Sequence, residues 1–544
     1  MNTKIKQDDR LLGRLKARLL VKLKSGLRDE RGATAVFFAF GLLLLAPATL
    51  GLVDVYLSST QRAQLQDALD TATLYAARSD KTTSADLKII GDAALKANLK
   101  LPEGQTLVAS NFVLDGIKLV GTASVTAPSV GPQLWTKADL AAESEVLRNS
   151  NNVEVALVLD TTGSMNASMI DLRAAAKDLV GLVVKDQQPP LVPYYTKVAL
   201  VPYSVGVNMG AYADKARGAL RQPTAISGVT KASPAVVTSV NHGLVNGEKV
   251  FIDKVGGMEA SKNTSALNGK EFTVSGVTRD SFELSGVDSS KYTAYSSGGT
   301  AYCIAAGCQL YSFTNVSGST KRFWGRPCAT ERIGTEAYTD VAPTTALVGR
   351  HYAGGESTTP ASNTGCNSGE IVPLTSTKKT LIDKITSLNS DGSTAGQIGL
   401  AWGWYMVSPK WNGVWPDGSV PAAYTQPQTL KVVILMTDGA FNTAYCNGVN
   451  SKSSGFGQNS DRINCDATNG DPFAQARSLC TNMKAQGIIL YTVGFDVGAE
   501  VGVADLMRNC ASSPANVYLP GTGADLKIAF RTIAQDINSL RISK

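Results

Sequence analysis

The sequence predicts an α/β protein: a doubly wound parallel sheet with an inserted small all-β module, preceded by an N-terminal transmembrane helix and helical stalk. Three observations predict it. Apolar runs at 155–159 and 432–436 and the largely apolar stretch 487–495 suit strands buried on both faces, as in a parallel sheet. Stretches with helical spacing alternate with those runs, which places helices on both faces of one sheet. Ahead of them lies a 22-residue uncharged segment, 32–53, long enough to cross a bilayer as a helix.

At 544 residues, two to four domains are expected. The net charge of +7 is gathered at one end: residues 1–31 hold ten Lys or Arg against four acids, a net +6. The rest is nearly neutral, which gives no electrostatic case for nucleic acid. All eight Cys lie between Cys303 and Cys510, a pattern that fits disulfides in an oxidising compartment. No C-x-x-C pair is present, which argues against a zinc ribbon.

In chain order, 1–31 reads as a basic cytoplasmic arm with interspersed Leu and Val. It is either an amphipathic helix on an anionic leaflet or a solvated topogenic tail. Its charge before the apolar segment places the N-terminus in the cytoplasm. Pro47 is positioned to kink the helix. Residues 54–150 form a stalk and a small α+β spacer outside the inner membrane. Leu65, Leu69, Ala72 and Ala76 make one helical stripe. Residues 84–98 read as a helix, 106–125 as strands broken at Asp115-Gly116, 128–133 as a loop and 139–148 as a helix or linker.

The main domain spans 152–544. Its first strand ends at Asp160, and Thr162 and Ser164 follow at alternate positions around Gly163. One carboxylate and two hydroxyls on a short loop suit a hard cation such as Mg2+. Two further candidates lie downstream: Thr394, in the Gly-rich loop 391–396, and Asp438, at the end of the strand that starts at Lys431. Ligand sites in open α/β sheets gather outside the carboxyl ends of the strands.

Residues 225–301 are rich in Val, Thr, Ser and Gly and lack Cys. Strand-like pieces at 235–240, 249–252, 271–274 and 281–284, with turns at Asn246-Gly247, Gly256-Gly257 and Asn268-Gly269, read as an inserted all-β module. His242 reads as a turn residue there. Residues 303–380 read as long irregular loops stapled by disulfides, serving either recognition at the rim of the site or simple stapling. Beyond them, 380–388, 397–407 and 474–485 read as helices. Cys480 and Cys510 are one candidate disulfide pair.

D-T-T-G-S at 160–164, the distant Thr394 and T-D-G at 437–439 together resemble the metal-ion-dependent adhesion site of von Willebrand factor A domains. That resemblance implies Asp160, Thr162, Ser164, Thr394 and Asp438 as ligands of Mg2+, with Mn2+ or Ca2+ as substitutes, and a protein partner that offers an Asp or Glu to the metal. R-G-A-T-A-V-F-F-A-F from Arg31, followed by Q-L-Q-D-A-L-D from Gln64, resembles the N-terminal segment of TadE/TadG-like proteins of tight-adherence (Flp) pilus assembly. This implies pilus assembly components as partners and an exported main domain, periplasmic or at the surface. Pilin-like members carry Glu five residues after a cleaved Gly; here Phe37 follows Gly32 at that distance, which favours an uncleaved anchor. The segment from Ser233 to Ile252 resembles a β-barrel repeat of phage structural proteins and an inserted half-domain of ubiquitin-activating enzymes, and implies an interaction or spacing module.

Enzyme readings have little support. Only two His exist, G-x-S-x-G and the P-loop motif are absent, and a second D-T-G for an aspartic dyad is missing. The expectation is metal-dependent binding without turnover. Two rivals stand beside it: a surface adhesin unrelated to pili, and a metal-free structural tether.

Overall fold

The computed structural model describes residues 30–542 apart from 80, 82, 116–117, 129–137, 148–150, 186–193, 263, 353–365, 367–368 and 499. The predicted basic arm lies almost wholly outside these residues, as does most of the loop predicted at 128–133. The chain divides into two compact units, Met1–Asn149 and Ser150–Lys544.

In the first unit, helix α1 (Glu30–Ala77) runs through Pro47. Its first half exposes Phe37, Phe38, Leu43 and Leu44 by 70–72% each. Among the described residues it is the one helix long and apolar enough to cross a membrane. Its second half buries the stripe Leu65, Leu69, Ala72 and Ala76 in a small core with Leu87, Phe112 and Leu119. That core is shared with α2 (Ser84–Asn98), capped by the Thr83 side chain, and with the antiparallel strands β1 (Leu107–Asp115), β2 (Lys118–Val125) and β3 (Leu140–Leu147), in that order. The third strand corrects the helix or linker expected at 139–148. It pairs with β2 over eight residues, and its alternation of buried and exposed positions outweighs the helix-forming Ala and Glu. Side chains cap the backbone of both outer strands. Gln66 Nε2 donates to the Glu143 carbonyl at 2.8 Å, and Lys88 Nζ to the Ser110 carbonyl at 2.8 Å. The Leu114 and Phe112 amides donate to Ser84 Oγ and Asn111 Oδ1, each at 3.1 Å.

The second unit is built on β4 (Asn152–Asp160), α3 (Met169–Val183) and β5 (Thr196–Tyr203), then β6 (Thr320–Thr330), β7 (Val372–Thr375), α4 (Lys378–Thr386) and α5 (Gly396–Val407). It continues with β8 (Thr429–Thr437), α6 (Pro472–Ala485), β9 (Ile489–Gly494), α7 (Val501–Cys510), β10 (Val517–Tyr518) and α8 (Gly523–Ile542). Strands β5-β4-β8-β9-β10 pair in parallel in that order. The chain grows from β4 towards β5 on one side and towards β8 on the other, so the order reverses between β4 and β8. Even-numbered positions of β4, Ala156 and Val158, pack with α5 and α6. Odd-numbered ones, Val155, Leu157 and Leu159, pack with α3, α4 and α8. Helices therefore cover both faces, which is why the runs read as continuously apolar.

The stretch 303–380 is more regular than expected. Strand β6 pairs antiparallel with Leu310–Thr314 and Gly349–Tyr352, and joins the main sheet through Val207–Asn208. Strand β7 runs antiparallel beside β5. The parallel sheet thus carries an antiparallel extension. Disulfides join Cys303–Cys308, Cys328–Cys366, Cys446–Cys465 and Cys480–Cys510.

Between β5 and β6, a separate seven-stranded sheet includes Ala235–Thr238, Lys249–Gly257, Lys270–Ser275, Ser281–Leu284 and Tyr295–Cys303. It packs its own core around Val237, Val250, Ile252, Phe282 and Leu284. His242 is a turn residue of this module: Nδ1 accepts from the Leu244 amide at 3.1 Å, and Nε2 lies 3.2 Å from the Ser281 carbonyl.

Candidate metal centre

The strand order reverses between β4 and β8, the place at which ligand sites form outside the carboxyl ends of open α/β sheets. Asp160 ends β4, and Asp438 directly follows β8. The register sets Met436 opposite Leu159, so Thr437 reaches Asp160: Thr437 Oγ1 donates to Asp160 Oδ2 at 2.8 Å. The Thr162 amide donates to Asp160 Oδ1 at 3.0 Å. Thr162 Oγ1 and Ser164 Oγ are 2.9 Å apart, and Ser164 Oγ donates to Asp438 Oδ1 at 2.8 Å. Asp160, Thr162, Ser164 and Asp438 thus form one hydrogen-bonded set.

The loop of Thr394 is bonded to the Asp160 loop through its backbone. The Gly163 amide donates to the Gly392 carbonyl at 3.0 Å, and the Asp391 amide to the Thr161 carbonyl at 3.0 Å. A Cβ at Gly163 would stand 3.3 Å from the Gly392 oxygen, so close backbone approach explains this glycine. Gly392 has φ +76°, which favours glycine again. Asn442 holds Thr394 from the far side: its backbone N–H donates to the Thr394 carbonyl at 3.0 Å, and its Oδ1 accepts from the Thr394 backbone N–H at 3.1 Å. The Thr394 hydroxyl is hydrogen-bonded to none of the other four candidates.

Electrostatically, the pair of carboxylates is uncompensated. Asp160 is fully buried, and burial raises its pKa against the hydrogen bonds from Thr162, Thr437 and Tyr203. Asp438 is pushed up to about 7, first by burial and then by the Asp160 carboxylate, with Glu500 adding to it. No Lys, Arg or His among the described residues forms an ion pair with either. Like charges without a counter-charge are the arrangement a bound cation relieves. The donor chemistry fits a hard divalent ion, because carboxylate and hydroxyl oxygens are what such an ion takes. Among the described residues no group of three or more His, Cys, Asp or Glu is placed to hold a metal; this donor set has two carboxylates and otherwise hydroxyls.

Sequence reasoning missed Tyr203 and Asn442. The Tyr203 hydroxyl lies 3.2 Å from Asp160 Oδ2 and 3.0 Å from the Met436 carbonyl, and its single proton serves one of them at a time. A tyrosine closing the apolar run 198–203, the parallel neighbour of β4, was the available signal. Asn442 had none, since its role depends on a loop 48 residues earlier in the chain.

No family model and no curated protein matches this chain. Solved structures with some likeness include the von Willebrand factor domain of the type V pili tip protein Mfa5 from Porphyromonas gingivalis. It is 12% identical, covering 73% of this chain and 97% of that one, with a TM-score of 0.31. The pilus adhesin SpaC from Lactobacillus rhamnosus GG is 11% identical, covering 81% of this chain and 35% of that one, at 0.31. Proximal thread matrix protein 1 from the mussel byssus, in a form described as having a zinc-occupied MIDAS motif, is 11% identical, covering 73% and 47%, at 0.25. At these identities and scores the likenesses assign no function to this chain.

Proposed function

We infer that the crevice at Asp160 binds a divalent cation, Mg2+ with Mn2+ or Ca2+ as substitutes, and that the protein binds a protein partner there without turnover. Asp160, Thr162, Ser164, Thr394 and Asp438 would hold the ion directly or through water. The single observation that carries this reading is the uncompensated carboxylate pair in one hydrogen-bonded set with two hydroxyls. A bound ion would supply an electrophilic centre for a partner's Asp or Glu. The chain's part is to fix the oxygens: Thr437 and Tyr203 orient Asp160, and Asn442 holds the Thr394 loop.

The biological setting rests on the sequence resemblance to TadE/TadG-like proteins and on the apolar helix. In that setting the chain is a single-pass inner-membrane protein, its N-terminus cytoplasmic and its main domain periplasmic or at the surface. It acts in tight-adherence pilus assembly or adhesion. Calorimetric titration of Mg2+ and Mn2+ into the purified chain tests the first step, with Asp160→Ala as control. Binding that disappears in the variant supports the site. Equal heats in both proteins would sink it and leave the metal-free tether. Co-purification with pilus components, against capture of host or matrix protein, separates assembly from adhesion unrelated to pili.

A further inference from the structure

A small cavity lies between the end of β6 and helices α5 and α6, with Glu331, Arg332, Gln397, Trp402 and Tyr405 in its wall. Its room for a guest is that of about one water molecule. Glu331 Oε2, Gln397 Oε1 and Arg332 Nε are all buried and lack hydrogen-bond partners. Gln397 and Arg332 are 1% and 3% exposed; the Glu331 carboxylate is enclosed although the residue as a whole keeps some exposed surface. Buried polar atoms left bare are costly and uncommon.

The chemistry of the wall dictates the guest. Gln397 Nε2 donates to the Thr443 carbonyl at 2.7 Å, so the amide cannot turn over and Oε1 remains an acceptor. Glu331 Oε1 already accepts from the Tyr445 amide at 3.1 Å, which leaves Oε2 as a second acceptor. Both residues line the same cavity, and a single guest that satisfies both acceptors needs two protons to donate. The Arg332 guanidinium is held elsewhere: one amino group donates to the Val341 carbonyl at 2.7 Å, and its plane lies over the Tyr405 and Trp411 rings, 5.0 and 5.2 Å from their centroids.

We propose that this cavity is a fixed hydration site, in which one water molecule donates to Glu331 Oε2 and to Gln397 Oε1, with Arg332 Nε the nearby donor to its oxygen. The Glu331 pKa, pushed up to about 7 by burial, agrees with a carboxylate that lacks bulk solvent. The water braces the Thr394 loop from below. It joins the residue after β6 to the first turn of α5. Gln397 and Ser393 both bond to Thr443, and the neighbouring Asn442 holds Thr394.

A high-resolution crystal structure of the full chain in detergent tests this. The expected result is one density peak within hydrogen-bond distance of both acceptors in the wild type, lost in Gln397→Met. An empty cavity, or direct contact between Glu331 and Gln397, overturns the proposal. Amide exchange at Thr394, Asn442 and Thr443 tests the bracing: it is expected to rise about tenfold in Glu331→Leu, which removes one acceptor of the water and leaves the Gln397–Thr443 bond in place. Unchanged exchange in Glu331→Leu overturns the bracing. Neither readout requires metal, so failure here is separable from failure of the metal reading.

Discussion

Strand β4 carries two buried carboxylates on one face, six residues apart, and they are treated in opposite ways. Glu154 is met by Lys431 Nζ, by the Tyr195 hydroxyl at 2.9 Å and by the Ala422 amide at 2.8 Å. Lys431 in turn donates to the Val407 carbonyl at 2.9 Å. Every group of that pair is bonded, and the ammonium comes from within the chain. Asp160 is as deeply buried, but its partners are a backbone amide and hydroxyls. One end of the strand holds a finished ion pair; the other holds a buried carboxylate that no Lys, Arg or His among the described residues pairs with. Burial alone therefore does not mark a site.

Substitutions sharpen the contrast, and the largest effect belongs to the finished pair. Glu154→Ala leaves the Lys431 ammonium buried and unpaired, and is expected to cost about 3–5 kcal/mol of folding stability in denaturant titration. A loss below about 1 kcal/mol would remove the distinction between the two ends.

Glu331 extends the comparison, because its carboxylate also lacks a cation. Its pKa is raised to about 7 in the folded chain and lies near 4.3 when unfolded. Its contribution is therefore fully present below about pH 4 and is lost as pH rises towards about 7, at most about 4 kcal/mol. His351 works the other way: burial, with Arg326 and Arg217, lowers its pKa to about 3, so its contribution is lost as pH falls from about 6.5 towards about 3. The difference between wild type and Glu331→Gln isolates the glutamate; a difference flat in pH would show that it does not titrate in this range.

At the open end, Asp160→Asn is expected to weaken Mg2+ binding at least about a hundredfold, about 2.7 kcal/mol, while raising metal-free stability by about 1 kcal/mol as the repulsion with Asp438 ends. Opposite signs in the two measurements are the signature of a site held ready for a cation. Loss of both would make Asp160 a structural residue like Glu154. The smallest effect is expected of Thr162: Thr162→Val should weaken metal binding about tenfold, about 1.4 kcal/mol, and Thr162→Ser should restore it.

Much of this was legible in the sequence, for identifiable reasons. Strands buried on both faces print continuous apolar runs, so β4 and β8 and their terminal Asp160 and Asp438 stood out. The stripe at Leu65, Leu69, Ala72 and Ala76 printed its helical period. What did not print was structure set by distant partners. Leu140–Leu147 is rich in helix formers and becomes a strand because β2 offers it eight positions of register. Strand β6 contains Gly325 and Pro327 and lacks clean alternation; it is held by neighbours on both sides. Tyr203 and Asn442 gain their roles from groups far away in the chain, and no local pattern announces that.

The capped strands of the first unit have a consequence for crowding. Chains tethered by α1 and diffusing in the plane of a bilayer would collide far more often than free ones, always in similar orientation. Such an array is where a bare strand edge would do most harm, since each edge templates the next. Lys88, Ser84 and Asn111 already occupy three backbone groups of β1, and Gln66 occupies one of β3. In the proposed membrane setting, those bonds would work against neighbouring units stitching themselves into a continuous sheet.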